Sequence, residues 1–326
     1  MEKRNILFVM SSLRNGGAER SLVNLLQLLD YDRYNVDLLL FQNEGMFLKQ
    51  VPKEVNIISN CNKLYTLYDN NKTEALKHPY LSVVHMIGTF ISRKKTNSVA
   101  KSRQYRWEHF YKKIIPELTK EYDVAIAYMQ REQTYFLVDK VKATKKIAWV
   151  HNEYSQLGHF KEMDLEYFEK VDKVVTISDL CAKDLKKNFP SIAEKFVVLP
   201  NLTSSQVIRN LAKEFYPPEF KRDVLNIVSI GRLNAQKALE LKKSRVKFHW
   251  VVLGIGSLKE ELEKKREELG VQDCFEFIGA RENPYAYMKN ADVLVQSSRF
   301  EGKSVVLDEG KILCCPIVTT NYPTVY

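Results

Sequence analysis

The chain has 326 residues, of which 45% are hydrophobic, and a formal net charge of +10. This size predicts two domains with a sizeable core in each, and the positive charge indicates an anionic partner. The five cysteines, an odd number without a C-x-x-C pair, exclude a disulfide scaffold and a zinc site and favour reduced thiols in a cytoplasmic protein. No apolar run approaches the roughly 20 residues of a membrane span, and the first residues lead into a strand rather than a signal peptide.

Apolar runs of strand length alternate with helical patterns along the whole chain, which is typical of parallel sheets covered on both faces. The first half has predicted strands at residues 5–10, 36–40, 55–58, 123–129, 147–150, 173–177 and 196–199. The second half has predicted strands at residues 224–230, 248–253, 275–278, 292–296 and 316–319. Residues 201–222 are irregular and contain Pro217 and Pro218, so we place the boundary there, between domains over 1–200 and 201–326.

Two polar turns follow predicted strands of the first half. Gly16 and Gly17 lie between the first strand and a leucine-striped helix. They form a candidate phosphate contact at a helix N-terminus, although a plain tight turn fits the same residues. His151 ends the strand at 147–150, where a side chain of an α/β sheet points into the ligand crevice. A structural histidine fits this position as well.

A basic segment stands out between the third and fourth strands. Residues 91–113 carry eight basic side chains against one acidic side chain, with aromatic residues between them. A helix with cations on one side and aromatics on the other can lie in a membrane interface. A solvated basic helix that packs its aromatics on its own domain is the alternative. Because no nucleic-acid-binding motif accompanies the segment, we do not expect a nucleic-acid partner.

Cations also follow the first strand of the second half. Arg232 and Lys237 come directly after residues 224–230, where both are placed to receive a diphosphate, unless they are only exposed loop cations. Gly279 begins the loop after the strand at 275–278.

The stretch 299–309 turns from the strand at 292–296 into a helix. Glu301 at the turn and Glu309 about two helical turns further on can accept hydrogen bonds from sugar and ribose hydroxyls. Gly302 permits close approach of the backbone, and the amides of Lys303 and Ser304 at the helix N-terminus attract phosphate. A loop charge followed by a solvated helix residue is the alternative interpretation. A second alternative is the end of a GxxxxGK[ST] phosphate loop, but Ser297 stands where that loop needs glycine.

In their chain order, these features resemble the retaining glycosyltransferases of the GT-B fold, family 4 or group 1. This group includes bacterial glycogen, lipopolysaccharide and capsule glycosyltransferases. The most specific pieces are the E-x7-E element in the setting Ser298-Arg-Phe-Glu-Gly and the segment Gly231-Arg-Leu-Asn-Ala-Gln-Lys. The resemblance implies an α/β protein with two Rossmann-like βαβ domains that face each other across a cleft. The N-terminal domain would take the acceptor and the C-terminal domain the nucleotide-sugar donor.

The resemblance also implies roles for the candidate residues. Arg232 and Lys237 would hold the donor diphosphate and stabilise the leaving nucleotide. Glu309 would accept hydrogen bonds from the ribose, Glu301 would contact the donor sugar, and His151 would line that sugar near the reacting carbon. The remaining donor contacts would be Gly16 and Gly17, Gly279, Gly302, Lys303 and Ser304.

The reaction implied by the resemblance is a retaining, metal-independent transfer of a hexose-type sugar. The donor is a nucleotide-sugar, here expected to carry UDP, and the acceptor is a glycan or lipid-linked saccharide of the cell surface. No resident cofactor is expected, since the resemblance implies a metal-independent reaction and the sequence has no His/Cys metal-ligand spacing. The 91–113 segment would then dock on an anionic membrane at its cytoplasmic face.

The sequence departs from the family at two places. Ala238 follows Lys237 where the family usually has glycine, and the link over 234–247 is short. The chain ends at Tyr326, one strand after Glu309, so we expect the second domain to be incomplete. Two other functions fit parts of the sequence: a nucleotide-sugar-binding scaffold without turnover, and an ATP-dependent enzyme that uses Gly302, Lys303 and Ser304.

Overall fold

A computed structural model describes residues 2–14, 16–58, 62–68, 78–202, 205–231, 246–256, 258–298 and 304–322. Contacts within the chain divide it into two compact units, Met1–Asn201 and Leu202–Tyr326. We refer to them as the first and the second unit. Arg232, Lys237, Glu301, Gly302 and Lys303 lie outside the described residues.

The described strands of the first unit form one parallel sheet in the order β3-β2-β1-β4-β5-β6-β7. Its strands are β1 (Arg4–Met10), β2 (Tyr34–Leu40), β3 (Val55–Ile58), β4 (Glu121–Ala127), β5 (Lys142–Val150), β6 (Lys173–Thr176) and β7 (Phe196–Val198). Its α-helices are α1 (Gly17–Leu28), α2 (Asn62–Tyr68), α3 (Pro79–Lys95), α4 (Val99–Arg106), α5 (Glu132–Lys140), α6 (Lys161–Glu169) and α7 (Asp179–Asn188). Helix α4 continues through a π-helical turn over Trp107–Tyr111 into a last turn at Lys112–Ile114, and 3-10 turns lie at Leu48–Gln50, Tyr154–Gln156 and Pro190–Lys195.

The second unit repeats the architecture with a parallel sheet in the order β10-β9-β8-β11-β12. Its strands are β8 (Leu225–Ile230), β9 (Phe248–Leu253), β10 (Phe275–Gly279), β11 (Val293–Gln296) and β12 (Ile317–Thr319). Its described helices are α8 (Ser205–Leu211), α9 (Lys259–Glu268), α10 (Tyr285–Asn290) and α11 (Val305–Ile312). Among the described residues, no helix has the length and the apolar character that crossing a membrane requires.

Both faces of each sheet are covered, which explains why the strands are apolar throughout. In β1, Leu7 and Val9 pack into one hydrophobic cluster while Phe8 and Met10 pack into another. Successive side chains of a strand point to opposite faces, so two clusters along one strand mean two buried faces. Burying each such side chain contributes about 1.5–3 kcal/mol. Every strand predicted from an apolar run is present, although β5 begins earlier than predicted, at Lys142.

The strand order reverses once in each sheet. In the first unit the chain moves outward from β1 to β3 and then returns to the other side of β1 with β4. In the second unit it moves outward from β8 to β10 and returns beside β8 with β11. Ligands of open α/β sheets bind at the carboxyl ends of the strands where this reversal leaves a crevice. We therefore expect ligand sites at the turns after β1, β4, β8 and β11.

Three glycines end the neighbouring strands β8, β9 and β10 and hold their carboxyl ends close together. Gly231, Gly254 and Gly279 have φ values of 151°, 153° and 76°, which L side chains rarely adopt. The Gly231 amide donates to the Leu253 carbonyl at 3.0 Å, and the Gly254 amide donates to the Gly279 carbonyl at 2.9 Å. A Cβ atom on Gly254 would lie 1.9 Å from the Gly231 oxygen, whereas one on Gly279 would meet nothing within 4 Å.

This difference predicts unequal costs for the same substitution. Gly279→Ala should cost about 1–2 kcal/mol, since only the backbone conformation opposes it. Gly254→Ala adds a collision with backbone, and we expect a loss of roughly 3 kcal/mol or more. Urea unfolding of both variants measures the difference. Equal losses would show that the two strand ends do not pack as closely as described.

Candidate functional site

The turn between β11 and α11 lies at the point where the second sheet reverses its strand order. Ser304 caps α11, because its hydroxyl accepts from the Leu307 amide at 3.4 Å. The same hydroxyl donates to Oε1 of Gln296, the last residue of β11, at 2.8 Å. The helix N-terminus is thereby fixed to the carboxyl end of the strand. This is the position at which Ser304 was predicted to contact a phosphate.

Glu309 lies in the second turn of α11 and is only 4% exposed. A carboxylate is rarely buried unless it is paired, because burial without a partner is costly. The Tyr285 hydroxyl donates to Glu309 Oε1 at 2.7 Å. The interpretation of Glu309 as a solvated helix residue is therefore wrong, and a fixed carboxylate lies beside the β11–α11 turn.

The loop that begins at Gly279 positions this tyrosine. The loop leads into α10, whose first residue is Tyr285, and the Tyr285 amide donates to Asn283 Oδ1 at 3.1 Å. The Asn283 amide nitrogen in turn donates to the Leu211 carbonyl at 2.8 Å. Tyr285 was not predicted from the sequence as a site residue. Its position directly after Asn283-Pro284, where a helix is expected to start, was the available signal.

The Gly16–Gly17 turn follows β1 at the reversal of the first sheet. Gly16 precedes the first residue of α1, and the Glu19 carboxylate lies against it, since a Cβ on Gly16 would be 2.0 Å from Glu19 Oε2. Negative charge is favoured at a helix N-terminus, so an anion that binds here must compete with Glu19. Gly45, with φ 130°, packs on the backbone of Leu13 and so holds the loop that precedes the turn.

His151 follows β5, as predicted, but its side chain is buried. Its Nε2 lies 3.0 Å from the Tyr128 carbonyl, so Nε2 carries the proton and Nδ1 is left as an acceptor. Nδ1 has no hydrogen-bond partner among the described residues. Burial lowers the pKa of His151 to about 4, and the hydrogen bond to Tyr128 opposes this only in part. The imidazole is therefore neutral and presents one unused lone pair.

The aromatic side chains of the basic segment 91–113 and the apolar side chains just before it differ in burial. Trp107 and Tyr111 are buried in the core of the first unit, which fits the interpretation that the aromatics pack on their own domain. Exposed apolar side chains lie instead on the preceding part of α3. They are Tyr80, Val83, Met86, Ile87 and Phe90, all 45–67% exposed.

The chain is similar in sequence to known proteins. Residues 218–325 match the family model for glycosyl transferases group 1. An N-acetylgalactosaminyltransferase of Campylobacter jejuni, named for the substrate N-acetylgalactosamine-N,N'-diacetylbacillosaminyl-diphospho-undecaprenol, is 25% identical over 316 residues, which are 95% of this chain and 79% of the relative. The uncharacterized glycosyltransferase MJ1059 of Methanocaldococcus jannaschii is 25% identical over 201 residues, which are 56% of this chain and 49% of the relative. The chain thus spans about half the length of this second relative.

Solved structures share the fold. HepE of Anabaena, in complex with UDP and glucose, superposes with a TM-score of 0.62 and 16% identity over 97% of this chain and 80% of its own. TarM of Staphylococcus aureus, in a complex that includes UDP, superposes with a TM-score of 0.62 and 13% identity over 99% of this chain and 86% of its own. These neighbours are GT-B glycosyltransferases. Residues 218–325 thus match the group 1 glycosyl transferases, and the chain shares the GT-B fold with these neighbours.

Proposed function

We propose that the protein transfers a hexose-type sugar, with retention of anomeric configuration and without a metal, from a UDP-sugar to a glycan or lipid-linked saccharide of the cell surface. The observation that carries this proposal is the buried Glu309 carboxylate, held by Tyr285 beside a capped helix N-terminus. A fixed carboxylate accepts hydrogen bonds from the ribose hydroxyls of a nucleotide. The adjacent helix N-terminus attracts the phosphate that follows the ribose.

The similar proteins support a UDP-sugar donor. HepE has been solved with UDP-glucose as well as with UDP and glucose, and the TarM complex contains UDP. In this chain, Arg232 and Lys237 would neutralise the diphosphate that leaves with the nucleotide, which is the task a metal performs in other transferases. Glu301 would bind the hydroxyls of the donor sugar.

His151 fits a role in binding the sugar rather than in proton transfer. A neutral imidazole whose Nδ1 has no partner in the described part of the chain can accept a hydrogen bond from a hydroxyl. The Nε2 proton is already engaged by the Tyr128 carbonyl, which fixes the ring and its tautomer.

A membrane-bound acceptor is supported by one relative and by one surface. The Campylobacter relative is named for a substrate linked to diphospho-undecaprenol. In this chain, α3 buries Leu81, Gly88 and Ser92 and turns an apolar stripe outward, with Arg93 and Lys94 in its last turn. Its sequence contains no acidic residue. An apolar face beside cations is typical of helices that lie on an anionic membrane, and we place the reaction at the cytoplasmic face of such a membrane.

The donor site is tested by calorimetric titration with UDP in the presence of EDTA. Wild-type protein should bind, and Glu309→Gln should bind far more weakly. Tyr285→Phe should lose about fivefold to tenfold in affinity, since it removes one hydrogen bond to the carboxylate. Tyr287→Phe is the matched control: it lies on the same helix, is also buried, and donates to Glu219 at 2.9 Å instead.

The outcome separates the proposed function from its rivals. Tyr287→Phe should keep the affinity of the wild type. Binding of Mg-ATP and not of UDP would favour the ATP-dependent enzyme. Binding of UDP without turnover of any UDP-sugar, tested with acceptors present, would favour a scaffold.

The protonation of His151 makes a prediction about pH. Its pKa is lowered from 6.5 to about 4 in the folded state, so the unfolded chain binds more protons between these values. The stability that the neutral ring contributes is present above pH 6.5 and is lost as the pH falls towards 4. At about 1.36 kcal/mol per unit, the loss approaches 3 kcal/mol. Urea unfolding at several pH values should show that the free energy of unfolding of the wild type falls towards that of His151→Gln as the pH falls from 6.5 to about 4. A difference between the two proteins that stays constant with pH would contradict this.

The membrane surface is tested by sedimentation with vesicles that contain phosphatidylglycerol. The double variant Met86→Glu/Phe90→Glu should abolish sedimentation, and Leu28→Glu, at an exposed position of α1, is the control that should not. Replacing Arg93, Lys94 and Lys95 by glutamine should weaken binding about a hundredfold, at about 1 kcal/mol for each charge. Unchanged sedimentation of both α3 variants would rule out α3 as the docking helix.

A further inference from the structure

The turn between β4 and α5 holds one residue in a strained conformation. Arg131 has φ 80° and ψ −132°, which residues other than glycine rarely adopt. It directly precedes α5, and its carbonyl accepts from the amides of Thr134 and Tyr135 at 2.9 and 3.2 Å. Strained backbone persists only where the surrounding structure enforces it, and it is concentrated at functional sites. The strain must therefore be offset by contacts that this turn makes.

The loop 151–160 follows β5 and begins at His151; we call it the His151 loop. The Tyr128 carbonyl accepts from His151 Nε2 at 3.0 Å, and Gln130 Oε1 accepts from the His151 amide at 3.3 Å. The first of these bonds fixes the ring, and the second fixes the backbone that carries it. The start of the His151 loop is thus held by the residues that immediately precede Arg131.

Arg131 holds the other end of the His151 loop. It donates from Nε to His159 Nε2 at 2.9 Å. Because Nε2 accepts here, Nδ1 carries the proton, and it donates to Asp164 Oδ2 at 2.8 Å. The Tyr154 hydroxyl donates to the same oxygen at 2.7 Å. The strained residue is therefore connected through hydrogen bonds to both the middle and the end of the loop.

Helix α4 contacts the same end of the His151 loop. Gln104 is 1% exposed; its Oε1 accepts from the Phe160 amide at 2.5 Å and its Nε2 donates to the Phe160 carbonyl at 3.1 Å. The Ser98 hydroxyl donates to the Gly158 carbonyl at 3.4 Å. Within residues 151–160, all of which are described, the only regular element is a 3-10 turn. Contacts from neighbouring side chains therefore satisfy much of the backbone of this loop and set its conformation.

The first residue of the loop is the proposed contact of the donor sugar. Hydrogen bonds weaken steeply when their distance or angle departs from the optimum, so His151 binds a hydroxyl well only if its Nδ1 stays in place. A binding group that is held in position before the ligand arrives loses less entropy on binding. The bonds that hold the loop at both ends provide such a fixed position for the imidazole.

We propose that Gln130 and Arg131 are positioning residues for His151. The strain at Arg131 is retained because it keeps the His151 loop in the conformation that binds the donor sugar. Neither side chain contacts the substrate in this role. The inference rests on the proposed function, since it concerns the residue that binds the sugar of the same donor.

Two substitutions at Arg131 separate positioning from stability. Arg131→Met removes the hydrogen bond to His159 and keeps the strained backbone, so it should lower the thermal midpoint. Arg131→Gly removes the same hydrogen bond and also the strain, so its midpoint should lie above that of Arg131→Met.

Activity should fall equally in the two variants although their stabilities differ. The probe is whichever of UDP-glucose, UDP-galactose and their N-acetylated forms the wild type hydrolyses fastest without an acceptor. Both variants should release UDP from it about tenfold more slowly, because a small displacement of a positioned group costs at least this much. Both should bind UDP itself as the wild type does. A merely structural role predicts instead that the rate follows the thermal midpoint.

Hydrogen exchange measured by mass spectrometry reports on the loop without any substrate. Peptides from residues 151–160 should exchange about tenfold faster in both variants than in the wild type, because the loop opens more often when it is held at one end only. Peptides from β1 should exchange as in the wild type.

Asp223→Gly is the matched control. Asp223 also has a positive φ, 60°, but it lies just before β8 in the second unit. The substitution relieves the backbone there without removing a contact of the His151 loop. Its UDP release and its exchange over residues 151–160 should therefore equal those of the wild type.

The proposal is overturned if the loop of Arg131→Gly exchanges at the wild-type rate, if this variant releases UDP at the wild-type rate, or if the rates of the two variants follow their thermal midpoints. A wild type that neither binds UDP nor hydrolyses any UDP-sugar would instead refute the proposed function. In that case the exchange of residues 151–160 still decides whether Arg131 holds the loop.

Discussion

Paired strands run parallel throughout both sheets, and this constraint decides where polar chemistry can lie. Parallel strands are covered on both faces, so their side chains are committed to the core. Polar side chains are left with the ends of the strands, and the carboxyl ends all meet at one edge. Glu309, His151 and the strained turn at Arg131, between β4 and α5, all follow such ends. Their positions are thus products of the same topology in both units.

Buried polar groups in this fold are of two kinds. Asp37 shows the first kind, because it lies within the strand β2 and its oxygens accept from Lys120, Tyr122 and Asn56. His151 and Gln133 show the second kind, because each lies after a strand and keeps one polar atom that no described residue hydrogen-bonds. The first kind stabilises the fold by itself. A ligand at the carboxyl edge can supply the hydrogen bond that these two atoms lack, but Trp149 Nε1 within β5 and His249 Nδ1 within β9 also lack a partner among the described residues.

The strands and the carboxylate Glu309 could be predicted from the sequence, whereas the strained polar turn at Arg131 could not. Apolar runs report directly on burial, so even the three-residue strand β7 was found. Glu309 was found because the spacing from Glu301 is specific, but its burial depends on Tyr285, which lies 24 positions away in sequence. The Arg131 turn has the composition of an ordinary polar loop. Its strain and its pairing with Arg103 arise only when α4 packs against it.

The basic segment shows how one run of sequence can have two roles. Arg93 and Lys94 end the helix whose apolar face points outward, while Arg103 on the next helix binds Glu132 and Arg106 donates to Thr89. The loop between α3 and α4 separates the two pairs. Exposed charges are screened by salt over about 10 Å at 0.1 M, whereas partly buried pairs are screened much less. Salt therefore weakens the attraction of the outward cations to an anionic surface and has much less effect on the Arg103–Glu132 pair, although these residues are neighbours in the sequence.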